Sequence, residues 1–169
     1  MGHLFFSLVL PLILSSVYGQ GPPPLTPQAQ EFIDAHNQAR AQVGVGPLKW
    51  SPTLANATAR LVMYQRLKNY CQFADLSSNK IKYGANQLWA QGSVVGPKMA
   101  VDAWVAEKKY YNHENNTCTM GQQCGVYTQV VWRKTAELGC SQTSCVKNGT
   151  SLTVCYYNPP GNIVGESPY

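Results

Sequence analysis

The chain has 169 residues, with 13 Lys and Arg against 8 Asp and Glu, a net charge of +5. That excess is mild and scattered, which argues against a polyanion-binding role, so nucleic acid is not an expected partner. Six cysteines, an even count with no C-x-x-C spacing, argue for three disulfides in an oxidising compartment rather than for a zinc ribbon or a thiol enzyme.

"LFFSLVLPLIL", Leu4 to Leu14, is apolar but too short to span a bilayer. With the small residues of "VYG" after it, residues 1–19 read as a secretory signal peptide. Cleavage after Gly19 leaves Gln20, able to cyclise, at the start of a proline-rich leader, 20–28. Residues 29–169 then read as one domain. Three sequons, at Asn56, Asn115 and Asn148, fit secretion, and Asn56 falls within an expected helix.

Thr26 followed by Pro27 predicts a cap and a first helical position. Phe32, His36, Ala39 and Val43 recur at helical spacing behind them, and "GVGP" breaks the pattern. Ser51 and Pro52 start a second helix through Leu54, Leu61 and Met63 to about Leu67. The basic stretch Arg66 to Tyr83 reads as a solvated face. "KYGANQLWA" reads as a short strand or an irregular segment. Pro97 opens a third helix, with Ala100, Ala103, Trp104, Glu107 and Tyr111 on one stripe. "VYTQVVW", "ELGCSQTSC" and "SLTVCYY" are rich in β-branched and aromatic residues and read as strands. The tail "NPPGNIVGESPY" holds too much Pro and Gly for regular structure. Helices first and strands last predict an α+β domain.

Catalytic signatures are scarce. G-x-S-x-G and H-E-x-x-H are both missing, and "HENNT" at His113 lacks a second histidine. Glu107 is the most unusual residue, because a carboxylate on an apolar stripe needs a partner, water or a proton. A groove-edge carboxylate bonded to backbone or water is preferred to a catalytic one. His36 reads as a core histidine bonded to backbone, ahead of a metal ligand. His113, among Asn and Glu, reads as solvent-facing. Trp104, Tyr110 and Tyr111 read first as core or groove-lining aromatics and second as lipid contacts.

Taken together, "AHNQARAQVGVGPLKW", "AVDAWVAEKKYYNH", "CGVYTQVVWRKTAELGC" and "CYYNPPGNIVGESPY" resemble a plant pathogenesis-related class-1 protein. These belong to the superfamily of cysteine-rich secretory proteins, antigen 5 and pathogenesis-related proteins. "YGANQLWA" resembles the pistil-expressed branch. The resemblance implies a three-layer α-β-α sandwich and the pairing Cys71–Cys145, Cys118–Cys124 and Cys140–Cys155. By sequence alone fifteen pairings stay open.

The family also implies a cleft of two histidines and two glutamates for a divalent cation. Carried over, the helix-motif glutamate is Glu107. The glutamate of "YGEN" falls on Ala85, the histidine of "HYTQVVW" on Val126, and the other histidine near Asp75. A degenerate tetrad of Asp75, Ala85, Glu107 and Val126 offers few donors, so no cofactor is expected and a tight transition-metal site is not. The resemblance implies a defence role; a monomer in the apoplast or cell wall is expected, and not an enzyme, since no nucleophile and base pair is found. The resemblance also implies binding of a sterol or fatty acid, with Trp104, Tyr110 and Tyr111 as candidates. Two alternatives stay open. One is release of an eleven-residue peptide to a receptor by cleavage between Asn158 and Pro159. The other is a glycoprotein of the wall or pistil matrix that touches polysaccharide.

Overall fold

The computed structural model describes residues 24–76, 82–92 and 95–169. The expected signal peptide 1–19, residues 20–23 of the expected leader and the side chain of Asn148 lie outside them. Helix α1, Pro27–Ala41, starts as its sequence predicts: the Thr26 hydroxyl accepts the Ala29 N–H at 3.2 Å, and Pro27 occupies the first turn, where no N–H is needed. Asn37 clamps Leu48 by accepting its N–H at 2.7 Å and donating to its carbonyl at 3.2 Å. That clamp delivers the short strand β1, Lys49–Trp50. Helix α2, Pro52–Lys68, buries Leu54, Thr58, Val62 and Gln65. Strand β2, Gly84–Gln91, is regular along its whole length, which resolves the open reading of that segment.

Helix α3, Pro97–Val105, ends sooner than its stripe suggests, and a 3-10 turn, Ala106–Tyr110, takes over. Trp104 is buried, whereas Ala103 is exposed and leaves the stripe. The tighter winding after Val105 takes Glu107 out of α-helical register with Ala100 and Trp104. A small hairpin, β3 (Tyr111–Asn112) and β4 (Thr117–Cys118), follows.

One expectation is corrected outright. The run Val126–Trp132 is not a strand. It enters helix α4, Gly125–Val130. Valine and threonine cost a helix only a few tenths of a kcal/mol each. Burial of Tyr127, Val130 and Val131 in the core outweighs that. Strands β5, Glu137–Cys145, and β6, Thr150–Asn158, form as expected, and the last eleven residues carry no strand or helix.

The main sheet has the order β1-β5-β6-β2, with β1 parallel to β5 and the other pairs antiparallel. Central strand β6 shows how it is covered. Leu152, Val154 and Tyr156 pack with Leu54 and Val62 of α2, while Cys155 and Tyr157 pack with Phe32, Trp104 and Tyr127 of α1, α3 and α4. Alternate residues of a strand face opposite ways, so the sheet is the middle layer of an α-β-α sandwich. Gly139 permits the α2 layer to come this close, since a Cβ there would overlap the backbone at Leu54 and Ala55.

All three bridges form: Cys71–Cys145, Cys118–Cys124 and Cys140–Cys155. The first ties the end of α2 to the end of β5 across 74 residues. A loop of that length removes about 4 kcal/mol of chain entropy from the unfolded state.

Candidate functional site

Helix α4 is where the pieces meet, because it contacts β2, the 3-10 turn, α1 and α3. Asn86 of β2 donates its amide to the Val126 carbonyl at 2.9 Å and to the Tyr157 hydroxyl at 3.1 Å. The Tyr157 hydroxyl lies 2.9 Å from His36 Nε2, and His36 Nδ1 lies 2.8 Å from the Phe32 carbonyl. The directions follow from the ends of the chain. Phe32 O only accepts, so Nδ1 carries the proton. Tyr157 accepts from Asn86 and donates to Nε2. His36 is thus neutral with both nitrogens committed, and burial lowers its pKa from 6.5 to about 4. It is the backbone-bonded core histidine expected of it.

Asn86 points to the α1/α3/α4 side, so its neighbour Ala85 points to the other and packs against the α2 cluster. There a cavity of about 410 Å³ opens, lined by Leu76, Tyr83, Ala85, Gln129, Pro160 and Ile163 among others. Its floor is fixed by Gln129, which is buried, accepts the Gly161 N–H at 3.0 Å and donates toward Thr135 Oγ1 at 3.4 Å. Gly84 carries no side chain for a direct reason: a Cβ there would overlap the Gln129 amide. The cavity's outer wall is the chain's own tail.

That tail is bound along its length. Thr135 donates to Pro159 O at 3.0 Å. Asn162 accepts from Thr128 at 2.7 Å and donates to Gly125 O at 2.8 Å, and Lys134 pairs with Glu166 at 2.8 Å. Pro168 O accepts the Arg133 N–H at 2.7 Å. Tyr169 meets the Tyr127 hydroxyl at 3.0 Å and stacks on His113 with centroids 4.4 Å apart.

The expected site residues have different surroundings. Glu107 stands on the 3-10 turn, half-buried, and its Oε2 is buried with no hydrogen-bond partner among the described residues. Asp75 is exposed, on a segment held to β2 by Gln87, which pairs with the Ala74 N–H at 3.0 Å and carbonyl at 2.9 Å. Val126 packs with the first core cluster, whereas Ala85 packs with the second. Trp104 is 2% exposed, with its indole N–H aimed at Gln87 O at 3.4 Å, so it is core and lines no open surface. Tyr110 and Tyr111 are half-buried, and Tyr111 belongs to the aromatic group of Tyr127 and Tyr169. His113 is exposed, as expected. Asn56 and Asn115 are exposed too. Sequence reasoning missed Asn86, Gln129 and Tyr157. Strand alternation next to Ala85 was the available signal for Asn86; nothing local marks Gln129.

The profile of the cysteine-rich secretory protein family matches residues 33–157. The chain belongs to that family. As a cysteine-rich secretory protein it is of the plant pathogenesis-related class-1, defence-associated type. It is 64% identical over 141 residues to the STS14 protein of Solanum tuberosum, an alignment covering 83% of this chain and 65% of that one. It is 42% identical over 144 residues to pathogenesis-related protein 1C of Nicotiana tabacum, covering 83% and 80%. Among solved structures, venom allergen-like protein 4 of Schistosoma mansoni superposes with a TM-score of 0.64 at 28% identity, over 86% of this chain and 95% of that one. The chain thus spans about two thirds of the potato relative, 65% of its length.

The divalent cation that the family resemblance implies meets a poor donor set in this secretory protein. Ala85 and Val126 offer a methyl and an isopropyl group, neither with a lone pair. Among the described residues no three His, Cys, Asp or Glu side chains come together as ligands. The residues present do not fit a transition ion. Nor is any helix among the described residues long and apolar enough to cross a membrane.

Proposed function

We propose that this protein is an extracellular, non-enzymatic defence protein that holds a small apolar ligand, a sterol or fatty acid, in the cavity beside Ala85. The observation that carries this reading is the cavity itself: about 410 Å³, with Leu76, Tyr83, Ala85 and Ile163 supplying hydrocarbon and Gln129 and Asn162 a few polar groups. Ligand sites are typically concave, mostly apolar and furnished with few polar atoms. Where a glutamate would place charge, Ala85 leaves an apolar wall. Hydrolysis is disfavoured by the state of the cysteines and histidines among the described residues. The cysteines are all bridged, His36 is committed at both nitrogens, and His113 stacks on the C-terminal tyrosine.

Competition with a fluorescent sterol tests the assignment. Ala85→Trp and Ile163→Asp should each weaken binding by roughly tenfold or more, the loss of about 1.4 kcal/mol. Tyr111→Ala should matter less, since Tyr111 packs on the tail rather than the cavity. Unchanged affinity in both cavity variants defeats this reading. The alternative, release of Pro159–Tyr169 as a signal, needs the Asn158–Pro159 bond to reach a protease. Asn158 O accepts the Ala136 N–H at 3.0 Å and its amide donates to Glu137 at 2.8 Å, so cutting there requires β6 to fray first. Tissue fluid containing a peptide that starts at Pro159 would support it; only uncut chain would oppose it.

A further inference from the structure

Helix α2 has a second face that neither the cavity nor the tail uses. At about 100° per residue, Arg60, Met63, Tyr64, Leu67 and Lys68 fall within one arc, opposite the buried Leu54, Thr58, Val62 and Gln65. Toward the C-terminal end of α2 this arc carries Met63, Tyr64 and Leu67 where a solvated helix would be polar, and the polar Asn56, Arg60 and Lys68 complete it. Met63, Tyr64, Leu67, Tyr70 and Phe73 are each between 56% and 70% exposed. Met63 and Leu67 are four residues apart and Tyr64 and Leu67 three, so their side chains adjoin. Scattered exposed apolar residues need no explanation, but a run of five along one helix end does.

Charge on this face is one-sided. Between Asp34 and Asp75 the chain holds no carboxylate, and Arg60, Arg66 and Lys68 are all exposed around the apolar arc. Backbone geometry adds a further mark. After Asn69 the chain passes through two successive non-glycine residues in the left-handed region, Tyr70 at φ 51° and Cys71 at φ 58°. Such residues are disfavoured by about 1 kcal/mol or more each and persist where surrounding structure fixes them. Here the fixing groups are the Cys71–Cys145 bridge and the bond from Cys71 N–H to Gln65 O at 3.0 Å. The bend buries the Cys71 sulfur and turns the Tyr70 ring outward beside the arc.

We infer that the outer face of α2, with Met63, Tyr64, Leu67 and Tyr70 ringed by Arg60, Arg66 and Lys68, docks on an anionic lipid bilayer surface. The arc is convex, so it suits a soft planar partner better than a groove of its own. Long apolar side chains reach the acyl boundary, tyrosines sit at headgroup level, and cations on flexible stems pair with phosphates. A second copy fits poorly, because a two-fold contact through this face would set Arg60 and Lys68 against their own kind with no carboxylate to answer them.

Sedimentation with vesicles of phosphatidylcholine, with or without phosphatidylglycerol, tests this on the full mature chain. The vesicles contain no sterol, so the outcome is independent of the cavity ligand. The chain should pellet with the anionic vesicles and bind the neutral ones, or the anionic ones in high salt, at least tenfold more weakly. Met63→Ser with Leu67→Ser should cost roughly tenfold, consistent with the loss of buried hydrocarbon. Arg60→Glu with Lys68→Glu should abolish the preference for anionic lipid. Met120→Ser, an exposed methionine on the loop closed by Cys118–Cys124, should leave binding unchanged. These positions are exposed, so unchanged urea midpoints check that the fold is kept. No pelleting with anionic vesicles overturns the inference, and so does α2-variant binding equal to wild type. A solution dimer that Leu67→Ser dissociates would give the face to a second copy and overturn it equally.

Discussion

His36 and Arg40 sit one helical turn apart on α1, and each meets burial differently. His36 stays neutral. Arg40 stays charged and spends its donors on carbonyls: Gly46 O at 2.7 Å, Val130 O at 3.1 Å, Trp132 O at 2.9 Å and Thr135 O at 3.1 Å. Val130 O is at the C-terminal end of α4, the negative end of a helix, and Trp132 O lies just past it, so the cation is stabilised without a carboxylate. The neutral histidine gives a pH prediction whose sign is fixed. Its folded pKa, about 4, lies below the unfolded 6.5. Between those values the unfolded chain takes up a proton that the folded one refuses, so stability is full above pH 6.5 and falls toward pH 4 by about 3 kcal/mol. Urea unfolding across that window should show the loss in wild type and a flatter profile in His36→Gln. Parallel profiles would show that His36 is not the titrating group. The histidine's role was legible in the sequence from its place on an apolar helix face. Arg40's was not, because three of the four carbonyls that hold it lie 90 to 95 residues away.

Among the elements, α4 and the tail are one unit. Gly161 packs so closely that a Cβ there would stand 2.7 Å from Trp132 Cγ and 2.8 Å from Gln129 Nε2. Gly161→Ala should therefore lift the tail and cost about 1 to 3 kcal/mol, as overpacking does. Lower urea midpoints together with faster carboxypeptidase trimming at Tyr169 are the expected result, and an unchanged rate and midpoint would contradict it. These elements also mark what sequence reading reaches. The Thr26 cap, Pro97 at a first helical position and the β-branched and aromatic content of the late strands are local signals, so α1, α3 and those strands were legible. "VYTQVVW" was not, because β propensity is a weak preference that core packing around Tyr127 and Val130 overrides. Trp104 was legible as apolar, but which way it faced depended on β2 lying over it.

For the whole molecule, the fold is the family's sandwich, and two of the four positions that the resemblance assigns to its cleft, Ala85 and Val126, carry no donor. Both halves were readable by matching motifs, since "YGAN" and "CGVYTQVVW" keep their frames and change one residue each. What matching did not give was the partition of Ala85 and Val126 between different core clusters, a consequence of sheet alternation and of α4 being helical. A carboxylate oxygen on Glu107 is left buried without a partner among the described residues, and it alone cannot hold a soft divalent ion against water. The most direct measurement is equilibrium dialysis of the mature protein against zinc at micromolar concentrations, beside Glu107→Gln. The account predicts no stoichiometric uptake by either. One zinc per molecule in wild type, lost in Glu107→Gln, would contradict it.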